Sequence, residues 1–252
     1  MIWQKPYDEE GIICSNNELP SNIIQLIKKR WLEKRPTYDF IEEYRKKFYI
    51  EKKIDIVTPN LPKTAEHALG DLSEACVEIS LLRGWEMCEE IKSKWIHPMS
   101  GSAPGRGIDI VCFSNPGVND YREGIWLFEV KGASTESSAK TQCGKVKNYI
   151  NRKEDQIRRE LIELDSWINQ LTSNQLELSM RIAKFLMQDP PNIHLSGGLL
   201  LYENFMDAES INDFKNKIRS FSRDLREPGL IFLFSNEIKE LIQSYLKGEA
   251  YE

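Results

Sequence analysis

Ile108-Asp109-Ile110-Val111-Cys112-Phe113 and Ile125-Trp126-Leu127-Phe128-Glu129-Val130-Lys131 are the two stretches on which the reading of this chain turns. Both are short, rich in β-branched and aromatic residues, and almost continuously apolar. Separated by the turn-rich residues 114–124, they predict two adjacent buried strands at the centre of a sheet. Yet charge is set inside them: Asp109 in the first, Glu129 and Lys131 in the second. A carboxylate in a buried strand costs several kcal/mol unless it is paired or holds a metal. Residues two apart on a strand share a face. Glu129 and Lys131 therefore project together, and hairpin pairing would let Asp109 lie across from them.

Working outward, residues 99–107 contain four Gly or Pro and predict a loop. Residues 85–96 have room for a strand. Ahead of them, Ala68, Leu69, Leu72, Ala75, Cys76, Ile79 and Leu82 recur every three or four residues. They predict an amphipathic helix over 64–83, with Gly84 at its C-terminus. Residues 58–62 read as a linker. The first sixty residues read as a mostly helical extension, with Ile23, Ile24, Ile27 and Trp31 on one helix and Phe40, Tyr44 and Phe48 on a second. On the other side, a helix is expected from near Lys140, with a break, to about residue 171, and another over 175–187. Short apolar runs at 199–202 and 230–234 predict two more strands, with a helix at 211–225 between them and a terminal helix at 238–246. The fold expected is α/β: a mixed sheet of four or five strands flanked by helices. The division expected is a helical N-terminal extension, 1–60, and a main domain, 61–252.

Composition narrows the function. Among the 252 residues, 39 Asp or Glu outweigh 34 Lys or Arg, for a formal net charge of −5. A protein that grips nucleic acid alone, over a broad surface, is usually basic. A small local groove, or a partner that brings the nucleic acid, stays open. The five cysteines, Cys14, Cys76, Cys88, Cys112 and Cys143, form no CxxC pair. They predict reduced thiols in a cytoplasmic protein and neither a disulfide framework nor a zinc site. The N-terminus lacks a signal-peptide pattern, and no apolar run approaches the roughly 20 residues that span a bilayer.

Two carboxylates beside an ammonium suit phosphodiester hydrolysis. Hard oxygen ligands such as Asp109 and Glu129 fit Mg²⁺, with Mn²⁺ as a substitute. A bound metal lowers the pKa of its water and offsets charge on the phosphate. Lys131 could orient the attacking water or stabilise the developing charge. The plain alternative is a buried ion pair without catalysis.

Gly107-Ile108-Asp109 followed by Glu129-Val130-Lys131 resembles the PD-(D/E)XK nuclease superfamily, in which an acid at one strand precedes an E-x-K on the next. The resemblance covers residues 66–150 and departs in one respect, with no proline before Asp109. It implies a restriction-endonuclease-like fold and a Mg²⁺-dependent endonuclease. It also implies a helical Glu ahead of the strands, and Glu74 fits that place as a metal ligand, direct or through water. Asp71 and Glu78 lie one turn either way. Many members carry a Gln on the helix after the E-x-K strand, and Gln142 fits it, orienting Lys131 or touching DNA. A narrower resemblance, in layout and in residues 98–131, is to bacterial anti-phage defence nucleases such as the Hachiman nuclease subunit. That implies DNA more than RNA as substrate and a helicase partner, which would suit the acidic chain.

Other patterns carry less. Residues 140–159 hold seven basic residues against Glu154 and Asp155. Lys140, Lys145 and Lys147 are thus candidates for nucleic-acid contact, or else a solvated helix face. Arg106 is a candidate phosphate contact, or part of a plain turn. The Gly-rich run at 101–107 lacks G-K-[ST] and precedes a strand, so it is no P-loop. His67, His97 and His194 lack any metal-site spacing, and no G-x-S-x-G elbow is present. Two other classes remain: an inactive nucleic-acid-binding or scaffold subunit that keeps the charged trio as a relic, and an interaction protein whose helices at 140–187 dock a partner.

Overall fold

The alternation of apolar strands with amphipathic helices builds a six-stranded mixed sheet with helices on both faces. The computed structural model describes residues 13–34, 64–84, 88–93, 108–114, 123–152, 154–157, 162, 176–189, 191–202 and 229–247. In chain order these form β1 (Ile13–Glu18), α1 (Ile23–Lys34), α2 (Ala65–Gly84), β2 (Cys88–Ser93), β3 (Ile110–Ser114), β4 (Gly124–Ala133) and α3 (Glu136–Ile150). A 3-10 turn (Glu154–Ile157), α4 (Leu176–Leu186), β5 (Ile193–Leu201), β6 (Gly229–Phe234) and α5 (Ile238–Leu246) follow.

The strands lie in the order β1-β6-β5-β4-β3-β2. The β2–β3 and β3–β4 pairs are antiparallel, and β4, β5, β6 and β1 run parallel. Parallel neighbours need crossovers, and covering both sheet faces explains why β5 is buried along its whole length. The period of two on β4 divides the core. Trp126, Phe128 and Val130 pack with apolar residues of α1, α2 and α5 on one face. Ile125, Leu127 and Ala133 pack with α3 and α4 on the other.

Glycine lets the helices approach the sheet. A Cβ on Gly132 would collide with Ser73 and Leu69 of α2, and one on Gly197 would collide with Val146 of α3. In contact with the α2 layer, α1 is fixed by Arg30, whose Nε and Nη2 both lie 2.7 Å from Glu78 Oε1.

The α/β class and the mixed sheet follow the sequence reading, and several details differ. Residues 13–18, read within a mostly helical stretch, form β1, which pairs with β6 and brings the sheet to six strands. Apolar periodicity is absent from Ile13-Cys14-Ser15-Asn16-Asn17-Glu18, and an edge strand needs little of it. Helix α3 starts earlier than Lys140 because Thr135 caps it: Ser138 N donates to Thr135 Oγ1 and Thr135 N reaches Ser138 Oγ. It ends at Ile150. Strand β5 begins at Ile193, six residues before the apolar run that revealed it, because His194, Ser196, Gly197 and Gly198 mask its start. The helices expected at 37–48 and 211–225, along with Arg106 and His97, lie outside the described residues. No helix among the described residues is long and apolar enough to cross a membrane.

Candidate active site

Pairing between β3 and β4 assembles the charges. Ile110 is opposite Phe128 and Val111 opposite Leu127, so the next step places Asp109 opposite Glu129. Directly opposed residues of an antiparallel pair share a face. That face is the one covered by α3 and α4, because Val111 and Leu127 belong to its core.

Asp109, 5% exposed, is held at the entry of β3. Its Oδ2 accepts a hydrogen bond from Val130 N at 2.8 Å and lies 3.4 Å from Lys131 Nζ. Lys131 Nζ also lies 2.6 Å from Glu129 Oε1 and donates to Val130 O at 2.9 Å. Three oxygens thus surround one ammonium, matching its three donors. Two carboxylates share this one lysine. Burial raises the Glu129 pKa, and the Asp109 charge raises it further, while Lys131 and Arg152 act the other way. Burial alone would lower the Lys131 pKa, but Asp109 and Glu129 more than offset it, so the ammonium is held charged.

Arg152 was not singled out by the sequence reading. It follows α3, its guanidinium carbon sits 4.9 Å above the centre of the Tyr149 ring, and its charge reaches Glu129. The side chain is exposed. Sequence could have offered it only as one of the seven basic residues spread over 140–159. What distinguishes it is the path of α3, whose Val146 and Ile150 approach Gly197, the residue paired with Glu129 on β5.

The other expected residues are placed as follows. Gln142 is half-buried on α3, and its Oε1 is buried with no hydrogen-bond partner. It lies seven residues before Tyr149 and so on the same flank of the helix. Lys140 and Lys147 share the opposite flank, and Lys145 is exposed on the outside. Glu74 is half-buried on α2. That helix packs on the other sheet face, where Ser73 and Leu69 approach Gly132 and Val77 approaches Gly198. Glu78 is engaged by Arg30. His194 is a core residue, buried and stacked on Trp126 with ring centres 3.7 Å apart; His67 is exposed.

The donors of the cluster fit a hard divalent cation in chemical type. Asp109 and Glu129 are oxygen ligands on one face, and Mg²⁺ commonly takes one or two carboxylates, keeping water for the rest. Among the described residues no three His, Cys, Asp or Glu side chains stand close enough to hold a metal. No protein-family model, curated protein or solved structure matches this chain.

Proposed function

We propose that this protein is a Mg²⁺-dependent nuclease with a restriction-endonuclease-like fold of the PD-(D/E)XK type, cutting DNA at the face of β3 and β4. One observation carries the reading: Asp109 and Glu129 converge from two adjacent interior strands on Lys131, with both carboxylates on one face of the sheet. Such an arrangement destabilises a protein that uses it only for folding. Asp109 and Glu129 would hold the cation, with Mn²⁺ able to replace it. When bound, the metal supplies a water of lowered pKa and offsets charge on the scissile phosphate. Lys131, held charged, orients the attacking water by hydrogen bonding or stabilises charge on the phosphate; it does not act as the base. Gln142, with an unused amide oxygen on the helix that follows β4, orients Lys131 or a bound water. Glu74 would act at most through water.

The acidic balance of the chain suits a cytoplasmic subunit whose DNA is delivered by a partner, such as a helicase in anti-phage defence. Lys145 and Arg152 would meet the phosphates. A second reading has a specific support: the Lys131 ammonium already has three oxygens. The cluster could then persist in an inactive nucleic-acid-binding or scaffold subunit.

Cleavage of supercoiled, linear duplex and single-stranded DNA with Mg²⁺ or Mn²⁺ tests the proposal, with and without any co-purifying protein. Glu129→Ala and Lys131→Ala should each lower the rate by about a thousandfold or more, with the circular dichroism spectrum unchanged. Cutting that survives both substitutions sinks the assignment. If wild type does not cut, Mn²⁺ titration calorimetry separates a partner-gated nuclease, which binds the ion, from an inactive subunit, which does not.

A further inference from the structure

Helix α4, Leu176–Leu186, is apolar on two opposite faces. Leu178, Ile182 and Phe185 enter the core beneath β4 and β5. At 100° per residue, Leu176, Met180, Ala183 and Met187 fall within about 60° of one another and directly opposite that face. All four are exposed, Leu176 by 62%, Met180 by 65% and Met187 by 86%. Their spacing of four, three and four is that of a seam between two packed helices. An isolated exposed apolar side chain needs no explanation, but three large ones aligned on one helix do.

The charges beside the stripe indicate what covers it. Glu177 and Lys184 are both exposed, seven residues apart, on a single flank of the stripe. Laid parallel about a two-fold, the helix would carry Glu177 and Lys184 to the edge where the copy presents Ser179 and Leu186, and neither charge would meet its opposite. Laid antiparallel about a two-fold axis between Met180 and Ala183, it brings Glu177 of each chain to Lys184 of the other, twice. The same operation sets Leu176 against Met187. A surface whose charges are complementary to its own two-fold image is the mark of an isologous contact.

We propose that the chain forms a homodimer through α4, with this stripe packed antiparallel on its copy and two Glu177–Lys184 pairs closing one edge. One eleven-residue helix spans only about 16 Å. The contact is therefore at the small end of stable interfaces, and assembly is expected at tens of micromolar.

Sedimentation equilibrium of the full chain, from about 1 to about 300 μM, tests this. The weight-average mass of wild type should rise toward twice the monomer. Met180→Glu should stay monomeric throughout. Glu177→Lys should weaken the dimer by about tenfold, and the swap Glu177→Lys with Lys184→Glu should restore it to within about threefold. These side chains are exposed, so thermal midpoints should not move. A wild type that remains monomeric at the highest concentration, or a dimer indifferent to Met180→Glu, overturns the proposal. A dimer that Met180→Glu abolishes but the charge swap does not rebuild overturns the antiparallel pairing.

Discussion

Glu78 and Glu129 each lie within 2.7 Å of a cation, yet the two regions treat their charge differently. Glu78 is fully buried on α2 and pairs with Arg30, which is itself 11% exposed. The pair ties α1 to α2. Glu129 shares one lysine with a second acid, Asp109, on neighbouring strands. Burial and that second acid push its pKa up. A paired charge is what a fold tolerates when it buries one. Two carboxylates gathered on one face offer oxygen ligands to a cation, and their position at the edge of the α3 layer leaves the side chains of Glu129 and Lys131 partly open, at 23% and 25%.

The largest separation between the two regions should appear on removing one acid. Glu78→Ala removes a buried acid from Arg30 and should cost about 3 kcal/mol of stability, read from urea unfolding. Replacing both partners, Arg30→Met with Glu78→Leu, should recover most of that loss. If Glu78→Ala is neutral, the pair does not fasten α1 to α2.

Glu129→Gln should behave in the opposite way. With its folded pKa raised, wild type binds more protons folded than unfolded between the ordinary glutamate value and the raised one. Its stability therefore falls as pH rises through that window. The glutamine variant should lack this slope and be the more stable protein at neutral pH, while losing cleavage. Unfolding midpoints from about pH 4 to about pH 8 give the answer. Parallel profiles for wild type and variant would show that Glu129 is no source of strain.

Arg152→Ala should give the smallest effect and tests whether the neighbourhood of Glu129 is built for an anion. Loss of one phosphate contact should weaken DNA binding uniformly and lower the salt slope by about 1. Titrations in Ca²⁺ at several salt concentrations measure it. An unchanged slope would confine Arg152 to its contact with Tyr149.

Much of the sheet was legible because its strands are continuous apolar runs, and 110–114, 124–133 and 229–234 announce themselves that way. Helices α2, α4 and α5 were legible for a related reason, since a helix with one buried face repeats every three or four residues. Strand β1 and the first half of β5 were not. Their residues are polar or small, and what makes them strands is the neighbour that takes up their backbone groups. The same distinction holds at the site. Asp109, Glu129 and Lys131 stood out as charges inside apolar runs, whereas Arg152 looked like any other residue of a basic stretch.

The sequence by itself determined the α/β class, the two adjacent apolar strands, the shared face of Glu129 and Lys131, and the setting of two acids and a base inside those strands. These follow from hydrophobic runs and from the period of two along a strand, which need no partner to be read. Only the tertiary structure decided that Asp109 is opposite Glu129, that α2 carries Glu74 on the far face of the sheet, and that the end of α3 brings Arg152 within reach of Glu129. Register and layer assignment depend on which distant segments pack together, and that is settled by the whole core at once, not by any local stretch of chain.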